Sequence, residues 1–208
     1  MHYPHDREER KTLYSSLIDH VHSDLFLESV AALVLGVLIT LTAIIDSLFL
    51  HTKEQIAPLS WLLVWTLCFL AVSLSAFLLP KLLPSHKQRK LYGIKRSFVI
   101  KNTFPTLLLG SVTCWSIGIS SSQHLPTAAS LACIFYALTL FSRTGYSMPS
   151  LKYYAISIAV LGMSFLVLLM RHTELVILPQ HVANLFLIVG LGLPSIAFGA
   201  WKSFIKRD

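Results

Sequence analysis

The sequence predicts an all-α, polytopic membrane protein with six transmembrane helices and both termini in the cytoplasm. Three observations predict it. Of 208 residues, 54% are apolar and only 13% are charged, against roughly a quarter charged in a soluble domain. Six apolar stretches, at 27–50, 60–83, 103–122, 125–143, 152–170 and 181–201, approach the ~20 residues that a helix needs to cross ~30 Å of hydrocarbon. Finally, Lys and Arg alternate between the segments. Fifteen fall in the N-terminal region, the second and fourth loops and the tail, and only Lys53 and Arg171 fall on the other side. Cytoplasmic loops collect such charge, which places both termini inside and favours an even number of crossings.

Residues 1–26 form the first element, a cytoplasmic amphipathic helix. Asp6 followed by Glu9 fits a capping box, and Leu13, Leu17, Val21 and Leu25 recur every four residues. Acids mix with bases there, and no short apolar region with a small-residue cleavage site follows. A secretory signal is therefore not expected, and the first span is expected to stay in the mature protein as an anchor.

The first span, "ESVAALVLGVLITLTAIID", carries a carboxylate at each end, Glu28 and Asp46. Eighteen residues of helix separate them, so they share a face about 27 Å apart, close to the hydrocarbon thickness. Glu28 is expected at the cytoplasmic boundary. Residues 47–50 continue the apolar run and set Asp46 about 6 Å inside the outer edge. Acids that bracket the span are favoured over a binding site, and of the two Asp46 is the stronger candidate for one.

Pro58 precedes the second span, and Pro80 and Pro84 close it. Trp61 and Trp65, with Trp201 at the far end of the chain, read as interface anchors. The loop that follows, "KLLPSHKQRKLYGIKRSFVIKN", holds seven bases and places Leu91, Ile94 and Phe98 at helical spacing. This predicts a helix lying on anionic headgroups, with Lys87, Arg89, Lys90, Lys95 and Arg96, beside Glu28, as candidate lipid or partner contacts. An ordinary positive-inside loop is the plainer reading and is favoured. The net charge of +7 does not imply nucleic acid, because no recognition motif accompanies it.

Spans three to six have uncharged interiors. Pro105 opens the third, Pro126 and Pro149 mark the turns around the fourth, and Pro179 leads into the sixth. Thr113, Ser116, Thr139, Ser157, Ser164, Asn184 and Ser195 are expected to bond neighbouring helices or their own backbone, with a polar ligand pocket as the alternative. Gly110, Gly118, Ala128, Ala132, Gly190, Gly192 and Gly199 allow close helix approach, and Pro194 should kink the sixth span. Cys68, Cys114 and Cys133 lie inside apolar segments and read as small packing residues. The six-helix bundle of residues 27–201 gives way to a short basic cytoplasmic tail at 202–208.

No H-E-x-x-H, G-x-S-x-G, paired intramembrane aspartates or phosphate loop is present, so neither an enzyme nor a cofactor is expected. The outer loops are rich in histidine. His51, His124, His172 and His181 accompany Glu54 and Glu174 there, and with Asp46 they form a candidate ligand or pH-sensing set whose metal is unknown. Unconnected surface histidines are the favoured alternative.

"REERKTLYSSL" before the first span, the basic second loop and "LFSRTGYSMPSLKYY" after the fourth together resemble the six-helix membrane sensor regions of bacterial diguanylate cyclases and histidine kinases. Arg10, Leu13 and Tyr14 match the charged segment that enters the first helix there, at slightly different spacing. The chain reaches "WKSFIKRD" where those proteins continue into an output domain. The resemblance thus implies a detached sensor module, or a regulator acting through other proteins, with no cyclase or kinase activity carried over. The expected function is a non-enzymatic protein of the bacterial inner membrane, a sensor module or assembly factor. Its expected partners are the anionic cytoplasmic leaflet, a membrane or cytoplasmic signalling protein, and a second copy of itself. A small-molecule transporter or channel is the alternative.

Overall fold

The computed structural model describes residues 29–48, 58–78, 86–143, 149–171 and 179–205, with side chains at 29–48, 59–69, 103–142, 150–171, 179–202 and 204. Every described element is helical. In chain order they are α1 (Ser29–Leu48), α2 (Pro58–Leu78), α3 (His86–Ser120), a 3-10 turn (Ser122–His124), α4 (Leu125–Arg143), α5 (Pro149–Arg171), α6 (Pro179–Leu187), a π-turn (Ile188–Gly192) and α7 (Leu193–Ile205). Proline is the first residue of α2, α5 and α6, where its fixed φ suits a helix and its missing N–H costs nothing. Five helical stretches are long and apolar enough to cross a membrane: α1, Thr103–Ser120, Ser122–Ser142, Ser150–Arg171 and Pro179–Lys202, which runs through α6, the π-turn and α7. Leu59–Phe69 within α2 is a shorter apolar helix.

Two expectations need correction. The basic segment before the third span is not a separate helix: α3 runs unbroken from His86 to Ser120 with Pro105 in its interior. Thirty-five residues make about 52 Å of helix, well beyond the hydrocarbon thickness. Pro105 looked like a helix start because bases precede it, yet a proline removes only one backbone bond and a long helix can carry it. Trp61 and Trp65 are not interface anchors. Each is only 3% exposed, packed with ring centres 5.9 Å apart. Trp201, by contrast, is exposed beneath the Lys202 ammonium at 4.4 Å.

The contacts show that helices consecutive in the chain run antiparallel. Thr42 of α1 bonds Cys68 of α2, while Trp61 and Thr66 of α2 meet Asn184 and Trp115. A Cβ on Gly118 would meet Leu62, and one on Gly110 would meet Phe135 of α4, while Cys114 donates to the Ala128 carbonyl. On α5, Tyr154 stacks on Phe198 and Phe165 stacks on Phe186, at 4.5 Å and 4.2 Å. Earlier residues of α5 therefore meet later residues of the sixth segment. α4 lies between α3, α5 and α6, and its face of Ala128, Ala129, Ser130, Cys133 and Ala137 is buried. Such small residues let helices come close in lipid, where no hydrophobic drive separates protein from solvent.

Many described hydroxyls in these helices turn back on their own backbone. Thr40, Thr66, Thr113, Ser116, Ser130 and Thr139 each donate to the carbonyl four residues earlier, at 2.7–2.9 Å. This satisfies the hydroxyl without a partner helix and leaves the exposed faces apolar. Ser195 instead bonds the Tyr154 hydroxyl in the core.

Along α1, Ser29, Leu33, Gly36 and Thr40 face the sixth segment. A Cβ on Gly36 would stand 2.7 Å from the Gly192 carbonyl oxygen and from the Ile196 nitrogen, and one on Gly199 would stand 2.7 Å from the Ser29 carbonyl oxygen. The backbones of α1 and α7 touch along this seam. Just before Pro194, where a kink is expected, the helix widens into the π-turn, closed by the Leu193 N–H on the Ile188 carbonyl.

Candidate functional site

The polar centre of the bundle is built on Asn184, five residues into α6 and 1% exposed. An amide buried in an apolar span must find partners or forfeit about 1–3 kcal/mol. Asn184 finds four. Its Oδ1 accepts from Trp61 Nε1 at 2.8 Å and from Trp65 Nε1 at 3.3 Å. Its Nδ2 donates to Asp46 Oδ2 at 2.7 Å and to Ser47 Oγ at 3.2 Å. Indole N–H groups only donate and a carboxylate only accepts, so the amide has a single workable orientation.

Local helix geometry explains the gathering. Trp61 and Trp65 are four residues apart and share one face of α2. Asp46 and Ser47 lie in the last described turn of α1. His181 stands one turn before Asn184, half-buried, and acts electrostatically on Asp46. Three helices are thereby joined through one side chain. The hydrogen bonds run in one direction, from the indoles to the Asn184 oxygen and from the Asn184 amide nitrogen to the carboxylate.

Of the residues singled out by sequence, Asp46 and His181 come together. His124 is exposed on the 3-10 turn, whose Ser121 hydroxyl accepts from the Gln123 N–H, and that turn packs against α6. His51, His172 and Glu28 lie outside the described residues, as do residues 1–26 and 206–208. Lys87, Arg89, Lys90, Lys95 and Arg96 fall on the first turns of α3, with their side chains outside the described set. Among the described residues, no group of three His, Cys, Asp or Glu side chains gathers to hold a metal ion.

Asn184, Ser47 and the two buried tryptophans were not singled out as a site. The signal was present: two Trp at helical spacing read as one face, and an Asn within an apolar run needs a partner. What the sequence lacked was the pairing of distant helices that unites them. Ser164 lies with Ala159, Val160, Met163 and Val167 in an open, mainly apolar groove on α5. No protein-family model, curated protein or solved structure matches the chain.

Proposed function

We propose that the chain is a non-enzymatic integral protein of the bacterial inner membrane that works through helix contacts, as a sensor or regulatory module. In this reading it crosses the membrane six times, with α2 as the second crossing beside the five longer apolar stretches and both termini cytoplasmic. The observation that carries it is the tie of Asp46, Asn184, Trp61 and Trp65. The acid in the apolar helices is committed to joining three of them at one end of the bundle. A group so placed sets relative helix positions, and a ligand or partner that disturbs it would shift them together. The antiparallel order of neighbours and the fifteen-to-two division of bases support the topology.

Reporter fusions at residues 53, 123 and 174 are expected to read outside, and fusions at 90, 147 and the C-terminus inside. A cytoplasmic reading at 123 overturns the six-crossing arrangement. Cross-linking in the native membrane followed by isolation in mild detergent is expected to recover a defined membrane or signalling partner. Recovery of the chain alone would overturn the regulatory role.

The π-turn beside the α1 seam favours a second reading, a transporter whose sixth segment bends at Ile188–Gly192. Solute flux in proteoliposomes of the pure protein would establish it in place of the first.

A further inference from the structure

α3 is longer than the membrane requires. Its apolar stretch is Thr103–Ser120, and the same helix runs unbroken through residues 86–102 before it. That is about 25 Å of helix beyond the apolar stretch. This extension carries Lys87, Arg89, Lys90, Lys95, Arg96 and Lys101, and no acid. By register, at about 100° per residue, Leu91, Ile94 and Phe98 fall on one side of it. Lys87 falls among them, with Lys90 and Lys101 alongside. Gly93 and the excess of like charge make this a poor helix on its own, so packing on the apolar side is the expected source of its stability. Laying the extension on headgroups would need the helix to turn through about 90° where it leaves the span. α3 runs unbroken there.

The contacts fix the end of the bundle from which the extension leaves. α1 and α3 both flank α2 and run antiparallel to it. Thr42 meets Cys68, Trp115 meets Thr66, and a Cβ on Gly118 would meet Leu62. Ser29 and Thr103 therefore stand at the same end, no more than about two helix spacings, or ~20 Å, apart. The opposite end holds Asp46 and the start of α6, joined through Asn184. The ten acids of the chain divide accordingly. Asp46 lies at the opposite end, Glu54 and Glu174 fall in the connections that join helices there, and Asp208 is in the tail. The other six, Asp6, Glu8, Glu9, Asp19, Asp24 and Glu28, all precede Ser29.

We infer that residues 1–28 dock along the basic extension of α3, acid to base and apolar stripe to apolar stripe, as an interface within one chain. Charge selects the occupant, because nothing else in the chain at this end supplies more than one acid. Spacing agrees with it. Leu13, Leu17, Val21 and Leu25 recur every four residues, and Asp24 and Glu28 share that interval. A segment of this length, at up to ~3.3 Å per residue, bridges the offset between the helices and still covers the extension. This contact goes beyond the proposed function and is the same whichever side of the membrane that end faces.

The test places the photoreactive p-benzoylphenylalanine at Ile94 or Phe98 of the full chain in native membranes, and mass spectrometry identifies what each captures. An adduct with residues 1–28 that runs as a monomer on a denaturing gel is expected. Asp19→Asn, Asp24→Asn and Glu28→Gln together leave α3 untouched and are expected to cut that adduct about five-fold, as is ~1 M sodium chloride on the native acids. Tryptophan fluorescence from the tie at the other end of the bundle reports whether the triple variant is folded, and the salt series needs no variant of those acids. Capture of lipid, of another protein or of a second copy, in place of residues 1–28, overturns the inference. So does an adduct indifferent to salt. Reporter fusions at 53, 123 and 174 test the topology separately, and neither result decides the other.

Discussion

Two regions hold α1 against the sixth segment, and they do so by opposite means. At one end, Asp46 and Ser47 are fixed to Asn184 by directional hydrogen bonds backed by two buried indoles. Farther along, Gly36, Gly192 and Gly199 bring the main chains of the two segments close enough that an added Cβ would meet its neighbours at 2.6–2.7 Å. The tie depends on chemical identity and tolerates some change of shape. The seam depends on shape, because a single added methyl finds no room in it. A membrane protein needs both, since close packing alone gives affinity between helices while a polar pair also fixes their register.

Gly36→Val strikes the seam hardest, because its side chain would meet main-chain atoms of α7 that cannot rotate away. A loss of about 3 kcal/mol is expected from overpacking, read as a fall in thermal midpoint and folded yield in detergent. Asn184→Leu breaks the tie with little change in volume. It strands two indole N–H groups and the carboxylate, and a loss of about 2 kcal/mol is expected, with altered Trp61 and Trp65 indole signals. If Asn184→Leu proves neutral, the tie is not a structural element and the contrast fails.

Gly192→Ala sharpens the distinction. The new methyl would stand 2.6 Å from Thr40 Oγ1, with the next atoms at 3.6 Å, so one hydroxyl is the whole obstacle. A loss of about 1–2 kcal/mol is expected, and adding Thr40→Ala should restore most of it. That non-additivity is measurable by a double-mutant cycle on thermal unfolding. Additive losses would show that the seam is not limited by that contact. The smallest effect belongs to Ser164→Ala on the open face of α5, where a change within about 0.5 kcal/mol is expected.

The positions of the apolar helices were readable because bilayer thickness imposes length, and length is written directly in the sequence. Asp46 stood out for the same reason, as a charge inside a run that should exclude it. The function of Trp61 and Trp65 was misread because a tryptophan near the end of a span satisfies the same local pattern whether it faces headgroups or a neighbouring helix. Their four-residue spacing carried the corrective signal. Gly36 and Gly162 were passed over although each meets main-chain or small side-chain atoms of a partner helix closely, since a lone glycine in an apolar run does not declare what approaches it. Continuity of α3 through Pro105 was hidden by charge, which marks the water boundary and says nothing about where a helix stops.

The π-turn has a consequence for rotational phase. In an unbroken α-helix Asn184 and Gly192, eight residues apart, would point about 80° away from each other. One residue taken up by a wider turn returns roughly 100°, leaving the two within about 20° of a common line. That single extra residue lets one segment present the amide to Asp46 and the glycines to Gly36 and Ser29, so tie and seam are in step only because the helix slips once between them. Removing one residue from Ile188–Gly192 would put them out of phase, turning Asn184 from Asp46 while Gly199 keeps its place against α1. The turn is thus the gearing between the two ends of the contact, and any motion of α6 about its axis must pass through it.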